Sequence, residues 1–579
     1  MTRTKEQIAK EVEAEKAREG KANQKDVQAE KVKRQDQRLK GGRLVERKVL
    51  YRCFRRGEVG NGELAAILLG DQFFHDNFPK GGQWYQFNCT HWLKDINRNV
   101  ERAVDIVATE YEKEGRYLRS LASGLPNDNE IMEDPAKELT KAQAKKKNQE
   151  KRTKWTKLSK AMSKKAGKLR DCKAINNTLK SSSAGDGSLG LNGATLIEPP
   201  LLFPCANTIV DLATGKEYRA TPWKDLYFRQ RSPVEYKGLN ESAPLWDKTL
   251  DQVTCHRADL REYMEYGLGF AITGIQTKDM FCYYGPHGDN GKTLVSEIVD
   301  MCMGDFASTI PVELLLEEKF TKSSSGPRED LLQLRNKRLV TTSEAESKQY
   351  FSMSKIKQMT SDGDKIRARG VNAKDSVEFQ QTHSFILHTN HIPQVKGADN
   401  AFFNRLRLIP FDARFVDDAD EVDEEKFIYP KIPKKKLMED FRAELPGILA
   451  HLVRCAVKAI ELGHMPKAPE CVRREVEDYK DTQDSYGPFF KACCDPAPEH
   501  MEQAKWLYLA WKKNHMEENE LTDDKYVTKP RTFGTELKTR TDITHIPKDE
   551  SGKGTVHYKG WKIKNEFRAE GDPSFPFSG

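Results

Sequence analysis

Between Phe281 and Ser296 the chain reads Phe-Cys-Tyr-Tyr-Gly-Pro-His-Gly-Asp-Asn-Gly-Lys-Thr-Leu-Val-Ser. An apolar, aromatic run from Phe281 to Tyr284 meets a loop holding Gly285, Gly288 and Gly291, then Lys292, Thr293 and a segment able to be helical. Glycines let successive backbone N–H groups turn inward onto phosphate oxygens. A helix N-terminus adds its partial positive charge at the same place. A lysine in this position reaches the β- and γ-phosphates, and the hydroxyl after it holds Mg²⁺. The candidate contacts to ATP are therefore Gly285, Gly288, Asp289, Asn290, Gly291, Lys292, Thr293 and Leu294, with Thr293 on Mg²⁺. The spacing departs from the common pattern, because Pro286 stands where the first glycine belongs and Gly285 comes one residue earlier. A glycine-rich surface turn closed by a lysine is the plain alternative, and it is the later segments that weigh against it.

Arg338 to Glu346 is a β-like run that ends in acids. A strand beside the first would set Glu344 near Mg²⁺ and the attacking water, to orient or deprotonate that water and support the metal. Glu346 is the second acid of the same run. Phe385 to Asn390 is another buried-looking strand with a polar end, from which Asn390 is able to bond the γ-phosphate or the water. A lone asparagine there is otherwise a turn residue. In Ala401 to Phe411, Arg405 is the first candidate, and Arg407 the second, to enter a neighbouring subunit's ATP site and neutralise charge on the γ-phosphate. Lys357 to Arg369 is rich in cations, among them Lys365, Arg367 and Arg369, and Gly370 to Asp375 is predicted to be a hairpin with Lys374 at its tip. A basic hairpin tip either grips a nucleic-acid backbone or is an ordinary solvated turn.

Taken in order, these segments resemble superfamily 3 helicases. The motifs are Asn-Gly-Lys-Thr from Asn290, Ser-Glu-x-Glu from Ser343, Lys-x-Met-Thr-x-x-x-Asp-x-Ile-x-Ala-Arg from Lys357, His-Thr-Asn-x-x-Pro from His388, and Asn-Arg-Leu-x-x-Ile-Pro-Phe from Asn404. The nearest group is that of phage and plasmid primase-helicases and poxvirus nucleoside triphosphatase-primases. Trp84-Tyr85, Trp92 and the stretch Asn207 to Gly215 resemble the domain that precedes this helicase, and Tyr479 to Trp561 its C-terminal winged-helix appendage. The resemblance covers most of residues 60–565. It implies an AAA+-like P-loop ATPase motor of α/β class that assembles into hexameric rings on DNA. It carries Lys292 and Thr293 over as nucleotide and metal contacts, Glu344 as the acidic strand-end residue, Asn390 as the sensor, Arg405 as the trans-acting arginine and Lys374 as the hairpin lysine. Family members often carry an N-terminal primase. No Asp-x-Asp or Asp-x-Glu pair on a strand precedes the motor here, so primer synthesis is not expected.

Four regions must position these residues. Residues 1–42 are almost wholly charged or small, and are expected to be a solvated tail or lone helix, or a nonspecific nucleic-acid arm. Residues 43–255 are expected to be an α+β domain, with a helix over Gly62 to Phe74, a strand over Gln83 to Phe87 and a helix over Ile96 to Tyr111. A basic segment follows from Lys137 to Arg170, either a solvated helical hairpin or a phosphate contact. Ser181 to Gly193 is a predicted loop, and Leu201 to Tyr218 a compact β-unit turning at Asp211 to Gly215. Residues 256–465 are the expected ATPase, entered by a helix from His256 to Ile275, with an acidic loop from Asp412 to Glu425 and a helix from Leu437 to Leu462. Residues 466–579 are an expected winged-helix unit: helices over Tyr479 to Cys494, Met501 to His515 and Lys529 to Arg540, then a hairpin ending at Val556 to Trp561.

Composition agrees with this class. There are 96 basic and 88 acidic residues, so the formal net charge is only +8 and the local distribution matters more. Eleven cysteines without C-x-x-C spacing fit mostly buried free thiols in a reducing compartment. No apolar run reaches the ~18 residues that span a membrane. The expected activity is ATP-dependent unwinding of single-stranded or forked DNA by a homo-oligomeric ring of a mobile replicon, with other replisome proteins as further partners, in the cytoplasm (the host's, if phage-borne). An ATP-regulated DNA-binding initiator and a primase-helicase are the rival expectations.

Overall fold

The computed structural model describes residues 44–78, 82–127, 140–193, 196, 198–285, 288–317, 328–342, 349–361, 363–371, 376–395, 399–484, 486–521, 523–524, 527–538, 540, 542–547 and 554–573. The charged tail, Glu344, Glu346 and Lys374 lie outside the described residues.

The N-terminal region opens with helices α1 (Arg47–Arg55) and α2 (Gly57–Leu69), then strands β1 (Phe73–Asp76), β2 (Gln83–Asn88) and β3 (His91–Lys94). Helices α3 (Asn99–Ala103), α4 (Asp105–Ser123), α5 (Lys141–Lys168) and α6 (Cys172–Ser182) follow, then β4 (Gly190–Leu191). The strands form one sheet in the order β3-β2-β1-β4. The helix expected from Ile96 begins only at Asn99, and Ile96 is 82% exposed. From Lys141 to Lys168 the basic segment is one continuous helix and not a hairpin. Thr140 and Gln143 close a capping box at its start, and no glycine or proline interrupts it before Gly167. Its inner face lies on α4, where Ser159 donates to the Gly115 carbonyl at 2.7 Å and Met162 is fully buried.

The β-unit is an antiparallel meander of β5 (Leu202–Pro204), β6 (Ile209–Asp211) and β7 (Lys216–Glu217). It leads to α7 (Pro244–Val253) and α8 (Ala258–Thr273). One core joins Phe203, Trp246 and Leu250 to Leu260, Tyr283, Ile298 and Leu449. The expected boundary at 255/256 therefore runs through a continuous apolar core, because the meander and α7 bury their faces against the ATPase region.

The central sheet is wholly parallel. It contains β8 (Met280–Tyr284), β9 (Ala307–Ile310), β10 (Leu339–Thr342), β13 (Ser384–Thr389) and β14 (Leu406–Pro410), in the order β14-β8-β13-β10-β9. Cores lie on both faces, and β8 and the Phe385–Leu387 part of β13 read as apolar runs, as buried parallel strands do, while β9 and β10 carry Ser308, Thr309, Thr341 and Thr342. Between them lie α9 (Lys292–Met303), α10 (Glu329–Leu332), α11 (Met353–Met359), the antiparallel ribbon β11 (Lys365–Ala368) and β12 (Val377–Gln380), and α12 (Asn400–Phe403). The expected neighbour of β8 was β10. The structure instead inserts β13 between them, and the longest strand of the sheet, Ser384–Thr389, takes the centre.

The acidic segment is not only loop: it holds β15 (Arg414–Val416), paired in parallel with β16 (Ile428–Pro430). Helix α13 (Lys434–Leu462) and α14 (Glu470–Gln483) come next. Val472 and Tyr479 of α14 pack into the cores of the preceding region, so a separate C-terminal core begins only at Tyr486. That unit comprises α15 (Gly487–Cys493), β17 (Cys494–Gln503), α16 (Ala504–Glu518), α17 (Pro530–Leu537), β18 (Thr544–Ile546) and β19 (His557–Ile563), with sheet order β17-β19-β18. The helix expected over Tyr479 to Cys494 is broken at Asp484, and Pro488 stands in the first turn of a new helix, where a missing N–H costs nothing. Met501, expected in a helix, is in β17.

Candidate phosphate-binding site

Gly285 follows the end of β8, and Lys292 opens α9. Lys292 is only 4% exposed. Its Nζ donates to the Gly285 carbonyl at 3.2 Å, Asn290 Oδ1 at 2.9 Å and Asn390 Oδ1 at 2.6 Å. All three of these acceptors are neutral oxygens. Asn390 is there because β13 lies directly beside β8, with Thr389 opposite Tyr284, so the residue after each strand emerges at the same edge.

The loop is fastened from the β14 side. Phe411 N–H donates to the Tyr284 carbonyl at 2.7 Å, Asn290 Nδ2 to the Phe411 carbonyl at 3.3 Å, and Phe415 N–H to the Asp289 carbonyl at 2.8 Å. Lys431 Nζ binds Asp289 Oδ2 at 2.8 Å. A side chain at Gly285 has no room: a Cβ would sit 1.9 Å from Asn290 Nδ2 and 2.8 Å from the Phe411 carbonyl oxygen. Gly288 has open space around it. Thr293 is exposed on the first turn of α9, while the Leu294 side chain packs against the core, leaving its backbone N–H for a ligand. A cleft of about 450 Å³ opens beside Gly288 and Asp289, walled by Arg414, Phe415 and Asp418.

His388 adds a contact that the residue-by-residue reading of the sequence missed, although it begins the His-Thr-Asn motif. Its Nε2 lies 2.6 Å from Ser296 Oγ, tying β13 to α9. Burial, and then the nearby Lys292 charge, push its pKa down to about 4, so the ring is neutral near pH 7.

The arginines lie elsewhere. Arg405 precedes β14, its carbonyl accepting from Met280 N–H at 2.8 Å, and its Nη1 donates to the Ala401 carbonyl at 2.7 Å. Arg407 pairs in register with Phe281, and its guanidinium binds Asp279 at 2.7 Å. Arg405 therefore sits before the strand start and Arg407 at its second residue, about 20 Å and about 13 Å of strand from Phe411 beside the loop. On the ribbon, Lys365 and Arg367 share the outward face of β11, in an exposed–buried alternation. Lys365 Nζ is 3.3 Å from Glu378 Oε1, and Arg367 Nε donates to Ser376 Oγ at 2.8 Å. Arg369 follows β11 at the end of the ribbon where the connecting turn begins, and its carbonyl accepts from Arg328 N–H at 2.8 Å.

Of the eleven cysteines, all free, eight are buried. Among the described residues no helix is long and apolar enough to cross a membrane.

Known proteins share parts of this chain. Residues 71–255 match a family described as "D5 N terminal like", and residues 283–405 match a "Family of unknown function (DUF5906)". A protein of Acanthamoeba polyphaga mimivirus named "Putative helicase L207/L206" is 23% identical over 347 residues, 58% of this chain and 32% of that protein. "Putative helicase 184R" of Invertebrate iridescent virus 6 is 27% identical over 153 residues, 26% of this chain and 16% of that protein. The chain thus spans about a third or less of the length of these relatives. Among solved structures, the apo A form of the NrS-1 C terminal region aligns with a TM-score of 0.33 and 14% identity, over 55% of this chain and 68% of that one.

Proposed function

We propose that this chain, which is of the phage and viral superfamily 3 primase-helicase type, is an ATP-dependent DNA helicase that works as a ring with ATP sites between subunits. The observation that carries the proposal is the buried Lys292 ammonium, held at a helix N-terminus by Gly285, Asn290 and Asn390 oxygens. An incoming γ-phosphate offers the lysine an anionic acceptor in place of neutral ones, so ion-pair attraction is added to the hydrogen bond. Asn390, released from Lys292, then orients the attacking water. Mg²⁺ fits beside Thr293, which is exposed on the first turn of α9 and has a hydroxyl without a hydrogen bond among the described residues. The ion would neutralise charge between the β- and γ-phosphates. Glu344 is the proposed partner for that ion and for the water.

Arg405 lies at the strand-start end of the sheet, away from its own loop, which supports a role in a neighbour's site. That placement supports an interface site, and with it the hexameric AAA+-like ring. The order β14-β8-β13-β10-β9 supports a P-loop motor, since it puts the loop strand beside the strand bearing Asn390. The outward Lys365 and Arg367, with Lys374, would grip one DNA strand by its phosphates. In the C-terminal unit the succession helix, strand, helix, helix, strand, strand supports a winged helix.

Lys292→Ala tests the site. Expected is loss of ATP hydrolysis and unwinding with an unchanged circular dichroism spectrum. Near-wild-type phosphate release would remove the loop from the chemistry.

A further inference from the structure

We propose a second site, for a divalent metal ion of the zinc class, formed by Glu265 of α8 with His451 and Cys455 of α13. The two helices meet at backbone distance: a Cβ on Gly269 would lie 2.4 Å from the Cys455 carbonyl oxygen. That approach is what brings Glu265, one turn before Gly269, against the facing helix. His451 and Cys455 are four residues apart on α13 and so share one face. One ligand atom from each of the three residues lies within 4.8 Å of the others.

The histidine is set up as a ligand. Its side chain is 7% exposed, and Nε2 is buried without a hydrogen-bond partner, facing Glu265 Oε1 at 3.6 Å. Its Nδ1 edge faces Asp247 Oδ1 at 3.9 Å. A carboxylate behind the ring is the usual second partner of a metal-bound histidine. Burial pushes the His451 pKa down, keeping the imidazole neutral and able to ligate. Burial also pushes the Cys455 thiol up, so the metal would have to displace its proton.

Three cations adjoin the cluster: Arg261, Lys458 and Arg454, the last acting on both His451 and Cys455. Arg261 Nε donates to Glu265 Oε1 at 3.0 Å, but its two Nη atoms are already bound by Asp247 at 2.7 Å and Asp251 at 2.5 Å. Lys458 Nζ is 3.9 Å from Glu265 Oε2. Asp247, Asp251 and Glu265 thus balance Arg261, Lys458 and Arg454. A thiolate, an imidazole and a carboxylate suit zinc, with water as a fourth ligand. Metal–ligand bonds of about 2.0–2.3 Å place donors about 3.3–3.8 Å apart, so the cluster closes by roughly 1 Å on binding. A cleft of about 410 Å³, bordered by Arg261, Glu265 and Lys458, gives the ion a way in.

The test uses the full chain, stripped with a chelator and titrated with cobalt(II) chloride and with zinc chloride. Expected are a cobalt–thiolate charge-transfer band, one zinc per chain and a raised Tm. Cys455→Ser should abolish the band. Glu265→Gln, at a half-buried position and so less disruptive, should weaken binding at least tenfold, and Asp247→Asn by about 10–100-fold. Cys471→Ser, which removes a thiol outside the cluster, should leave the band unchanged. Absence of the band in the wild-type chain overturns the proposal. So does full binding by both Cys455→Ser and Glu265→Gln, or loss of the band in Cys471→Ser.

Discussion

Exchanging Asn390 for aspartate changes one atom group at the point where Lys292 is held. The Nζ to Oδ1 distance is 2.6 Å, so Asn390→Asp replaces the neutral acceptor of the lysine with an anionic one and sets a negative charge where the γ-phosphate must arrive. Two unit charges 4 Å apart interact by about 4 kcal/mol at an effective dielectric near 20. Asn390 is half-buried, so part of that is screened, and about 2–4 kcal/mol is the expected penalty. At 1.4 kcal/mol per tenfold this is a fall of roughly 30- to 1,000-fold in kcat/KM for ATP. Asn390→Ala removes a hydrogen bond from the Lys292 ammonium without adding a charge, a loss of about 1.5–3 kcal/mol, or roughly 10- to 140-fold. The discriminating result is the order of the two. Phosphate release is measured against ATP concentration for both variants, with Tm as the control. The ion pair should hold the aspartate variant's Tm at or above that of the alanine variant. If aspartate hydrolyses ATP as well as alanine does, Asn390 does not face the phosphate.

Gly285→Ala should lower kcat/KM more than tenfold, because its Cβ collides with Asn290 Nδ2 and the Phe411 carbonyl and must displace the group that holds Lys292; wild-type kinetics would show that the loop yields freely. Arg405→Ala and Lys292→Ala proteins, each inactive, should regain part of the phosphate release when mixed under subunit exchange, with the arginine's own effect on the order of 10³ or more. If mixed rings form and no ratio exceeds the separate activities, Arg405 does not act across an interface. Lys374→Ala should keep basal ATPase but lose stimulation by DNA, with the salt slope of single-strand binding lower by roughly 0.7. An unchanged slope with normal unwinding would move the grip to another surface, such as the lysine face of α5.

What the sequence made legible was local. The apolar runs at Phe281 and Phe385 and the helices after Gly291 and over Leu437 to Leu462 are each set by their own residues, and all four are in the structure. Order within the sheet was not legible, since which strand stands beside β8 depends on packing across the whole domain. The insertion of β13 is what brings Asn390 onto Lys292, a contact no spacing announces. Strand β17 was hidden for a different reason. Pro496 and Pro498 argue against a strand, but β17 is at the edge of its sheet and shifts register between Ala497 and Met501, where proline costs no ladder bond. The zinc-class cluster was equally invisible, because Glu265 is far in sequence from His451 and Cys455 and meets them only where Gly269 lets two helices touch.

Strand β14 has Arg405 just before its first residue and Phe411 just after its last, and Phe411 is bonded to Tyr284 and Asn290. Its five residues pair with β8 throughout, so the segment has no slack. If Arg405 rests on a neighbour's nucleotide, the strand is a push-rod between two catalytic centres. Loss of the γ-phosphate in one subunit releases one end, and the displacement is delivered to the lysine cradle of the next. Firing in one compartment would then prime or veto the adjacent one, giving the ring a phase relation and a direction of travel without any separate timing element.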